Sequence, residues 1–233
     1  VRQHSRDVTN EAYRVVRTNL EFMTNQEKKC KVVMLTSFNP GSGKTFICAN
    51  LGASFAIRDS RVICIDLDLR RGSLSEFADS PKKGLTNYLS GQAEDYQELI
   101  VHQPLGDKTL DILPMGKIPP NPTELLYSHK LKPMIDELRQ HYDYIFVDCP
   151  PVEIVADATI ISREADVTIF IVRAGLLERS MLPELQKNYD EKKYNNMAML
   201  LNGTDAEHHY GYHRYGYGYG RYGYGRYGYG KYG

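Results

Sequence analysis

A glycine-rich segment of the chain carries the side chains that phosphate binding requires. Ser37-Phe-Asn-Pro-Gly-Ser-Gly-Lys-Thr45 lies between a short apolar run and a stretch with helical spacing. In that context Gly41 and Gly43 let the backbone amides turn inward, and the amino end of the following helix attracts anions. Lys44 can reach the outer phosphates of a nucleotide, and the hydroxyl of Thr45 can bind Mg²⁺.

The match to the general phosphate-loop pattern is incomplete, because Phe38 stands where the first glycine belongs. The remaining core still predicts a nucleotide-binding loop, and the alternative is a glycine-rich turn with a surface lysine. Asn202 follows the last predicted strand and could contact the base of the nucleotide. The residues expected to contact the nucleotide are Pro40, Gly41, Ser42, Gly43, Lys44, Thr45, Phe46 and Asn202.

Two further motifs place carboxylates at the ends of apolar runs. Asp66 and Asp68 end the run that begins at Val62, and their spacing of two directs both side chains to one side of an extended backbone. Paired acids beside a phosphate loop suit Mg²⁺ binding and the acceptance of a proton. The alternative is a pair of solvated acids in a turn. Asp148 ends a third apolar run, which begins at Tyr144, and is expected to act on Mg²⁺ through a water molecule.

The carboxyl-terminal 24 residues consist mainly of alternating tyrosine and glycine. Their ten tyrosines are Tyr210, Tyr212, Tyr215, Tyr217, Tyr219, Tyr222, Tyr224, Tyr227, Tyr229 and Tyr232. Four Arg or Lys residues, one histidine and no acid accompany them. The segment has no aliphatic side chain to bury, so no independent fold is expected. Its accessible phenols indicate either a substrate for tyrosine chemistry or a weak, multivalent interaction segment.

Strand and helix patterns alternate along the chain and must position these groups. Strands are predicted at Lys31–Thr36, Arg61–Ile65, Leu110–Leu113, Tyr144–Val147, Val167–Val172 and Met197–Leu201. Helices are predicted at Thr9–Gln26, Thr45–Ile57, Leu131–His141, Asp157–Glu164 and Leu182–Lys193, with short helices within Gly84–Gly91 and from Thr123. The pattern implies an α/β fold, a doubly wound and mainly parallel sheet with helices on both faces. Ligands bind at the carboxyl ends of the strands in such folds.

Length and composition limit the organisation of the chain. Its 233 residues suggest one domain, residues 1–205, followed by a disordered tail, residues 206–233. The formal net charge of zero argues against a nucleic-acid partner. The four cysteines lie in or beside apolar runs, so reduced core residues are expected. No apolar run approaches the roughly 18 residues needed to span a bilayer.

The order and separation of these motifs resemble those of the bacterial tyrosine kinases, the autokinase domains of exopolysaccharide and capsule co-polymerases. The resemblance covers essentially the whole chain and rests on the Pro40–Thr45 loop, Asp66-x-Asp68-x-Arg70, Asp148-x-Pro150 and the tyrosine-rich carboxyl end. It implies a P-loop kinase that uses ATP and Mg²⁺ to phosphorylate its own tail, with transfer between neighbours in a ring. It also implies a location at the cytoplasmic face of the inner membrane, through a transmembrane activator in the same or a separate chain.

A mechanism follows from this interpretation. Lys44 stabilises charge on the transferring phosphoryl group, and Thr45 and Asp68 hold Mg²⁺ with Asp148 acting through water. Asp66 orients the incoming tyrosine hydroxyl and takes its proton. These five residues form the expected catalytic and metal-binding set.

Three charged residues of the first predicted helix form a further candidate site. Glu11, Arg14 and Arg17 are spaced three apart, which places them along one flank. By itself the pattern indicates a solvated flank, whereas the resemblance favours a contact between subunits of a ring.

The competing class is the partitioning and cell-division ATPases, which have a related fold and loop. Those proteins carry an additional lysine early in the loop, in the pattern KGGxGKT. Asn39 occupies the equivalent position here and Pro40 follows it, which favours the kinase. In the alternative, the chain is an ATPase switch and its tail is an interaction segment.

Overall fold

A seven-stranded sheet runs through the structure, a computed structural model that describes residues 8–24, 29–152 and 157–204. Its strand order is β3-β4-β2-β5-β1-β6-β7, and every neighbouring pair is parallel except β3 and β4. The predicted α/β fold with a mainly parallel sheet is confirmed. The strands are β1 (Lys31–Ser37), β2 (Val62–Asp66), β3 (Val101–Leu105), β4 (Lys108–Leu113), β5 (Tyr144–Asp148), β6 (Val167–Arg173) and β7 (Met197–Asn202).

Seven α-helices accompany the sheet in the described ranges. They are α1 (Val8–Met23), α2 (Lys44–Ala56), α3 (Leu85–Leu89), α4 (Pro122–Leu126), α5 (Leu131–His141), α6 (Asp157–Ser162) and α7 (Leu182–Asp190). Each lies where the sequence pattern predicts a helix; α5 has the predicted boundaries, and those of the others differ by a few residues. None of these helices combines the length and apolar character needed to cross a membrane. The predicted tail, residues 206–233, lies outside the described residues.

The helices cover both faces of the sheet. On one face, α1 and α2 pack against the strands through side chains such as Leu20, Phe55 and Phe146. On the other, α3 to α6 pack against residues such as Met34 and Val147. All four cysteines are buried and free, as expected, namely Cys30, Cys48, Cys64 and Cys149. Because the central strands are buried on both sides, they consist mostly of apolar residues and lack the alternation of a one-sided strand.

Strand β3 is an element that the sequence pattern missed. Val101–Leu105 pairs antiparallel with β4 and forms one edge of the sheet. The segment contains His102, Gln103 and Pro104, and its side chains are only partly buried or exposed. Proline cannot donate a ladder hydrogen bond, so it is tolerated at an edge and not in the middle of a sheet. The weak pattern therefore reflects the edge position.

Helix α1 corrects one expectation about the charged flank. Glu11 and Arg14 lie at the surface and form an ion pair of 3.0 Å. Arg17, by contrast, is 7% exposed, and its guanidinium donates to the carbonyl and the hydroxyl of Ser54 in α2 at 2.8 and 2.9 Å. The expectation of an exposed flank that includes Arg17 is wrong, because this side chain is used to fix α1 to α2.

We expect Phe146→Ala to lower the free energy of unfolding by about 3–5 kcal/mol, because it leaves a cavity in the middle of the sheet. Phe146 is fully buried and its ring centroid lies 5.4 Å from that of Phe55. Urea denaturation measures the change. The matched control is Phe22→Ala, whose side chain is 84% exposed, with an expected change below about 0.5 kcal/mol. Similar losses in the two variants would contradict the described core.

Candidate functional site

The three sequence motifs meet at the carboxyl ends of adjacent strands. Strand β5 lies between β2 and β1, and its terminal residue Asp148 is in register with Asp66 on one side and Leu35 on the other. The glycine-rich loop leaves β1 two residues after Leu35, at Ser37. Neighbouring strands are about 4.8 Å apart, so the loop and both carboxylates share one end of the sheet. This is the edge at which ligands bind in open α/β folds.

Positive backbone φ angles shape the turn of the loop into α2. Gly41 and Gly43 have φ values of 78° and 92°, which residues with a side chain rarely adopt. A Cβ atom on Gly43 would also lie 2.5 Å from Nδ2 of Asn202. Helix α2 begins at the next residue, Lys44, so its first amides face the loop. The predicted roles of the two glycines in the turn are therefore matched by the backbone geometry.

Hydrogen bonds to the carbonyl oxygens of the loop hold its shape. The hydroxyls of Ser37 and Ser42 both donate to the carbonyl of Asn39 at 2.8 Å. Nδ2 of Asn202 donates to the carbonyl of Ser42 at 2.9 Å. Asn202 therefore lies beside the loop, as the proposed nucleotide contact requires, and its amide group braces the loop.

Arg173 is a site residue that sequence reasoning missed. Arg173 is the last residue of β6, and its guanidinium donates a hydrogen bond of 2.8 Å to the carbonyl of Gly41. A basic residue at the carboxyl end of a predicted strand was the available signal. The contact places a cation next to the glycine-rich loop.

Asp148 is fully buried beneath the loop. Its Oδ2 atom accepts a hydrogen bond from the hydroxyl of Thr45 at 2.6 Å. Its Oδ1 atom has no hydrogen-bond partner within the described part of the chain. Burial raises the pKa of Asp148 to about 7, although the Thr45 hydroxyl and the charge of Lys44 act to lower it.

Asp66 is also fully buried and is held from one side. Its Oδ2 atom accepts hydrogen bonds from the amide and the hydroxyl of Ser75, both at 2.9 Å. Oδ1 has no partner among the described residues. Burial raises the pKa of Asp66 well above its ordinary range, and the charge of Asp148 raises it further, against the hydrogen bonds from Ser75.

Asp68 organises the turn that follows β2. Its Oδ1 atom accepts from the amides of Arg70 and Arg71 at 3.3 and 3.2 Å, and its side chain is 5% exposed. The guanidinium of Arg70 in turn donates to the hydroxyl of Thr123 at 3.0 Å. Asp68 is therefore not a solvated turn acid, and Arg70 links this turn to the start of α4.

The donor set at this edge fits a divalent cation bound together with a phosphate. Mg²⁺ prefers oxygen ligands and commonly takes one or two carboxylates plus phosphate oxygens and water. Asp68, and Asp148 through its buried oxygen without a partner in the described residues, can supply such ligands directly or through water. No group of three or more His, Cys, Asp or Glu that could hold a metal unaided occurs in the described ranges. A cation here would take its remaining ligands from Thr45, phosphate and water.

Comparison with known proteins identifies the family. A family model described as an AAA domain matches residues 30–175. Tyrosine-protein kinase YwqD of Bacillus subtilis is 34% identical over 210 residues, which cover 89% of this chain and 87% of that protein. The chain belongs to the bacterial tyrosine kinase family. The expected enzyme class, protein-tyrosine kinase, is thereby confirmed at the level of the family.

Solved structures of bacterial tyrosine kinases share the fold. The kinase domain of Escherichia coli tyrosine kinase ETK superposes with a TM-score of 0.77 at 31% identity, over 95% of this chain and 82% of that one. The BceF tyrosine kinase domain gives 0.75 at 32% identity, over 86% and 79% of the two chains. Tyrosine-protein kinase Etk of Escherichia coli K12 is 34% identical over 194 residues, 83% of this chain. This chain covers 26% of that relative's length.

MinD, which is named a cell-division ATPase in Pyrococcus furiosus, also shares this fold. MinD of Pyrococcus horikoshii has a TM-score of 0.59 at 22% identity, over 74% of this chain and 70% of that one, which shows the fold alone. The fold alone therefore does not distinguish a bacterial tyrosine kinase from the partitioning and cell-division ATPases. The distinction depends on individual residues of the chain.

The other predicted site residues lie on the glycine-rich loop, on α2 and on α1, or outside the described residues. Pro40 to Thr45 form the loop and its helix start, and Phe46 is 54% exposed on the first turn of α2. Glu11 and Arg14 lie on α1, which packs against α2 elsewhere in the domain. The ten tail tyrosines lie outside the described residues. Their assigned roles stay predictions.

The raised pKa of Asp148 predicts a pH-dependent gain in stability for Asp148→Asn. The folded protein holds this proton up to about pH 7, whereas an unfolded aspartate loses it near pH 3.9, so the wild type loses stability as pH rises through that window. The asparagine side chain of the variant does not titrate, so the variant does not lose stability in this way. Urea denaturation in EDTA should therefore show a gain at pH 8, of order 4 kcal/mol at most, that largely disappears at pH 4.5. Asp190→Asn, at an exposed position of α7, is the control. A gain of equal size at both pH values would contradict the assignment.

Proposed function

We propose that this chain is the kinase domain of an ATP- and Mg²⁺-dependent tyrosine autokinase, which phosphorylates the tyrosines of its own carboxyl-terminal tail. The observation that carries the proposal is the meeting of a phosphate loop with two buried carboxylates, Asp66 and Asp148, that each present an oxygen without a partner in the described residues. The family supports the choice of tyrosine as acceptor, because the relatives are named tyrosine-protein kinases.

Nucleotide binding in this proposal uses the loop and its surroundings. The amides from Pro40 to Thr45 and the amino end of α2 hold the phosphates, with Phe46 and Asn202 at the side of the nucleotide. Lys44 is 6% exposed and brings a cation into this enclosed region. A cation held close to the transferring phosphoryl group stabilises the charge that develops on its oxygens.

Mg²⁺ would be held by Thr45 and Asp68, with Asp148 acting through water. The Thr45 hydroxyl donates its proton to Asp148, and a hydroxyl that donates in this way presents its lone pairs to a cation. When bound, Mg²⁺ neutralises phosphate charge in the transition state. The same hydrogen bond from Thr45 keeps Asp148 oriented beside the metal site.

Asp66 accepts the proton of the attacking tyrosine. Its burial raises the pKa of the carboxyl, which makes the carboxylate a stronger base than a solvated aspartate. The pKa of a phenol, about 10, is still well above that of a carboxyl group, so proton transfer to Asp66 before the reaction is unfavourable. In a loose transition state, however, the proton needs to be removed only late in the transfer of the phosphoryl group. Positioning of the hydroxyl by Asp66 is therefore as important as its basicity.

The tail can deliver tyrosines to its own site or to a neighbour's. Residues 206–233 could extend over about 90 Å, while a glycine-rich coil of this length averages about 30 Å end to end. The tail is basic and the site contains three aspartates, so charge favours its approach. We assign transfer to neighbours in a ring, with Glu11 and Arg14 at the subunit contact and Arg17 fixing α1 to α2.

The biological role follows from the family in this proposal. The kinase regulates exopolysaccharide or capsule synthesis and export from the cytoplasmic face of the inner membrane. A transmembrane activator, in the same or a separate chain, holds it there. Phosphorylation would reverse the charge of the tail, because each phosphate adds about −1.5 to −2.

We expect Lys44→Met and Asp66→Asn each to lower tail phosphorylation at least about 100-fold, because one removes charge stabilisation and the other the base. The assay incubates the full chain with Mg·ATP and maps phosphotyrosine by mass spectrometry, and EDTA should abolish the signal. Lys187→Met and Asp190→Asn make the same chemical changes on exposed positions of α7 and should leave the rate unchanged. Normal labelling of Asp66→Asn would rule out its role as base.

Transfer between copies predicts labelling of an inactive chain. An isotopically heavy Lys44→Met chain supplies the acceptor tail, and the active partner carries phenylalanine at all ten tail tyrosines. We expect phosphotyrosine on the heavy chain when the two are mixed with Mg·ATP, at a rate that rises with concentration. An unlabelled heavy chain, alongside normal labelling of the wild type alone, would show that each chain modifies only itself.

A further inference from the structure

Ser75 holds Asp66 through two hydrogen bonds and lies outside the three sequence motifs of the site. It lies in a short 3₁₀ turn, Ser73–Ala78, that follows β2. Gly72 precedes the turn with a φ of 61° and reverses the chain, so Ser75 faces the carboxylate nine residues earlier. Ser75 is 4% exposed. A buried polar side chain is therefore placed against the proposed base.

The hydrogen bonds of Ser75 have a fixed direction. The amide of Met115 donates to the Ser75 hydroxyl at 2.9 Å, so the hydroxyl oxygen acts there as acceptor. Its own proton is then donated to Oδ2 of Asp66 at 2.9 Å. The carbonyl of Met115 is itself held by the amide and hydroxyl of Thr86, at 2.9 and 3.0 Å. A continuous chain of hydrogen bonds thus runs from α3 to the proposed base.

Both donors of Ser75 bind the same oxygen of Asp66. The amide and the hydroxyl each reach Oδ2, which fixes the plane of the carboxylate. Oδ1 is buried and has no partner in the part of the chain that the structure describes. The two oxygens of one carboxylate are therefore made different, with Oδ2 used for anchoring and Oδ1 left for an external donor.

We propose that Ser75 is a positioning residue for the kinase reaction, which anchors Oδ2 of Asp66 so that Oδ1 accepts the proton of the incoming tyrosine. The inference rests on the proposed function, since it needs Asp66 to be the base. The balance of the step is simple. The phenol proton moves to Oδ1 as the tyrosine oxygen bonds to the γ-phosphorus and the bond from that phosphorus to the bridging oxygen of ADP breaks. Ser75 itself contacts neither the tyrosine nor the nucleotide.

The test compares Ser75→Thr with Ser75→Val in the full chain. The two side chains have nearly the same shape and differ in the hydroxyl, so any cost of the added methyl group is shared. Ser75→Val loses the hydrogen bond to the charged Asp66 without replacing it, whereas Ser75→Thr keeps it. If this bond supports the transition state, kcat should be about 10- to 100-fold lower for Ser75→Val than for Ser75→Thr. The KM for ATP should agree within about twofold between the two, because Ser75 does not hold the nucleotide. Initial rates of tail phosphorylation against ATP concentration give both constants.

A second pair covers the case in which the added methyl group prevents folding. Ser75→Ala removes the hydroxyl without adding volume, and Ser162→Ala removes another buried hydroxyl, which donates to the carbonyl of Thr159 at 2.8 Å, far from the site in sequence. We expect a fall in kcat for Ser75→Ala alone, with both variants assayed at a temperature at which melting curves show each to be folded. Equal kcat values within either pair, or a loss confined to the KM for ATP, would overturn the positioning role. A wild-type chain that makes no phosphotyrosine would instead overturn the proposed function, so the two failures are distinguishable.

Discussion

Two carboxylates, Asp66 and Asp148, are held side by side out of water at the ends of neighbouring strands, and the rest of the site is arranged around that constraint. Removing a charged group from water costs several kcal/mol even after relaxation, which is a large fraction of the net stability of a domain. The protein compensates in part. Thr45 donates to Asp148, and Ser75 donates twice to Asp66. One oxygen on each carboxylate has no partner in the described residues, which suits Asp148 to a nearby cation and Asp66 to an external hydrogen-bond donor.

The sheet is what makes this arrangement tolerable. Strands β1, β2 and β5 are buried on both faces, and their packing between two layers of helices fixes where each strand ends. The carboxylates cannot move apart without disturbing that core, because closely packed interiors resist local displacement. Burial also contributes to the proposed mechanism, since the same loss of solvent that raises the pKa of Asp66 would make its carboxylate a stronger proton acceptor. The burial of Asp66 and Asp148 thus lowers the stability of the fold, and the same burial supports the proposed chemistry of the site.

The fold by itself says less about function than family membership does. The bacterial tyrosine kinases and a cell-division ATPase superpose on the same sheet, so the architecture allows more than one use of a bound nucleotide. The local residues are more specific. Asn39 and Pro40 stand where the switch ATPases have a loop lysine, and the tail contains ten tyrosines, which are the proposed acceptors. Ser75 adds a further local feature, because an anchored carboxylate suits proton transfer from a hydroxyl that must be aligned with a phosphate.

The parallel sheet, the glycine-rich loop and the aspartates at the strand ends could be predicted from the amino-acid order, because they depend on short-range patterns of apolar, glycine and acidic residues. Helix α5, for instance, has the predicted boundaries, and strand β2 differs by one residue at each end. The folded structure was needed to show that Arg17 is buried against α2, that Arg173 reaches the loop and that Ser75 holds Asp66. These contacts join residues whose separation in sequence follows no period, and they depend on how turns such as the one at Gly72 direct the chain. Edge strand β3 was missed for a related reason, since partial burial weakens the apolar pattern from which strands are recognised.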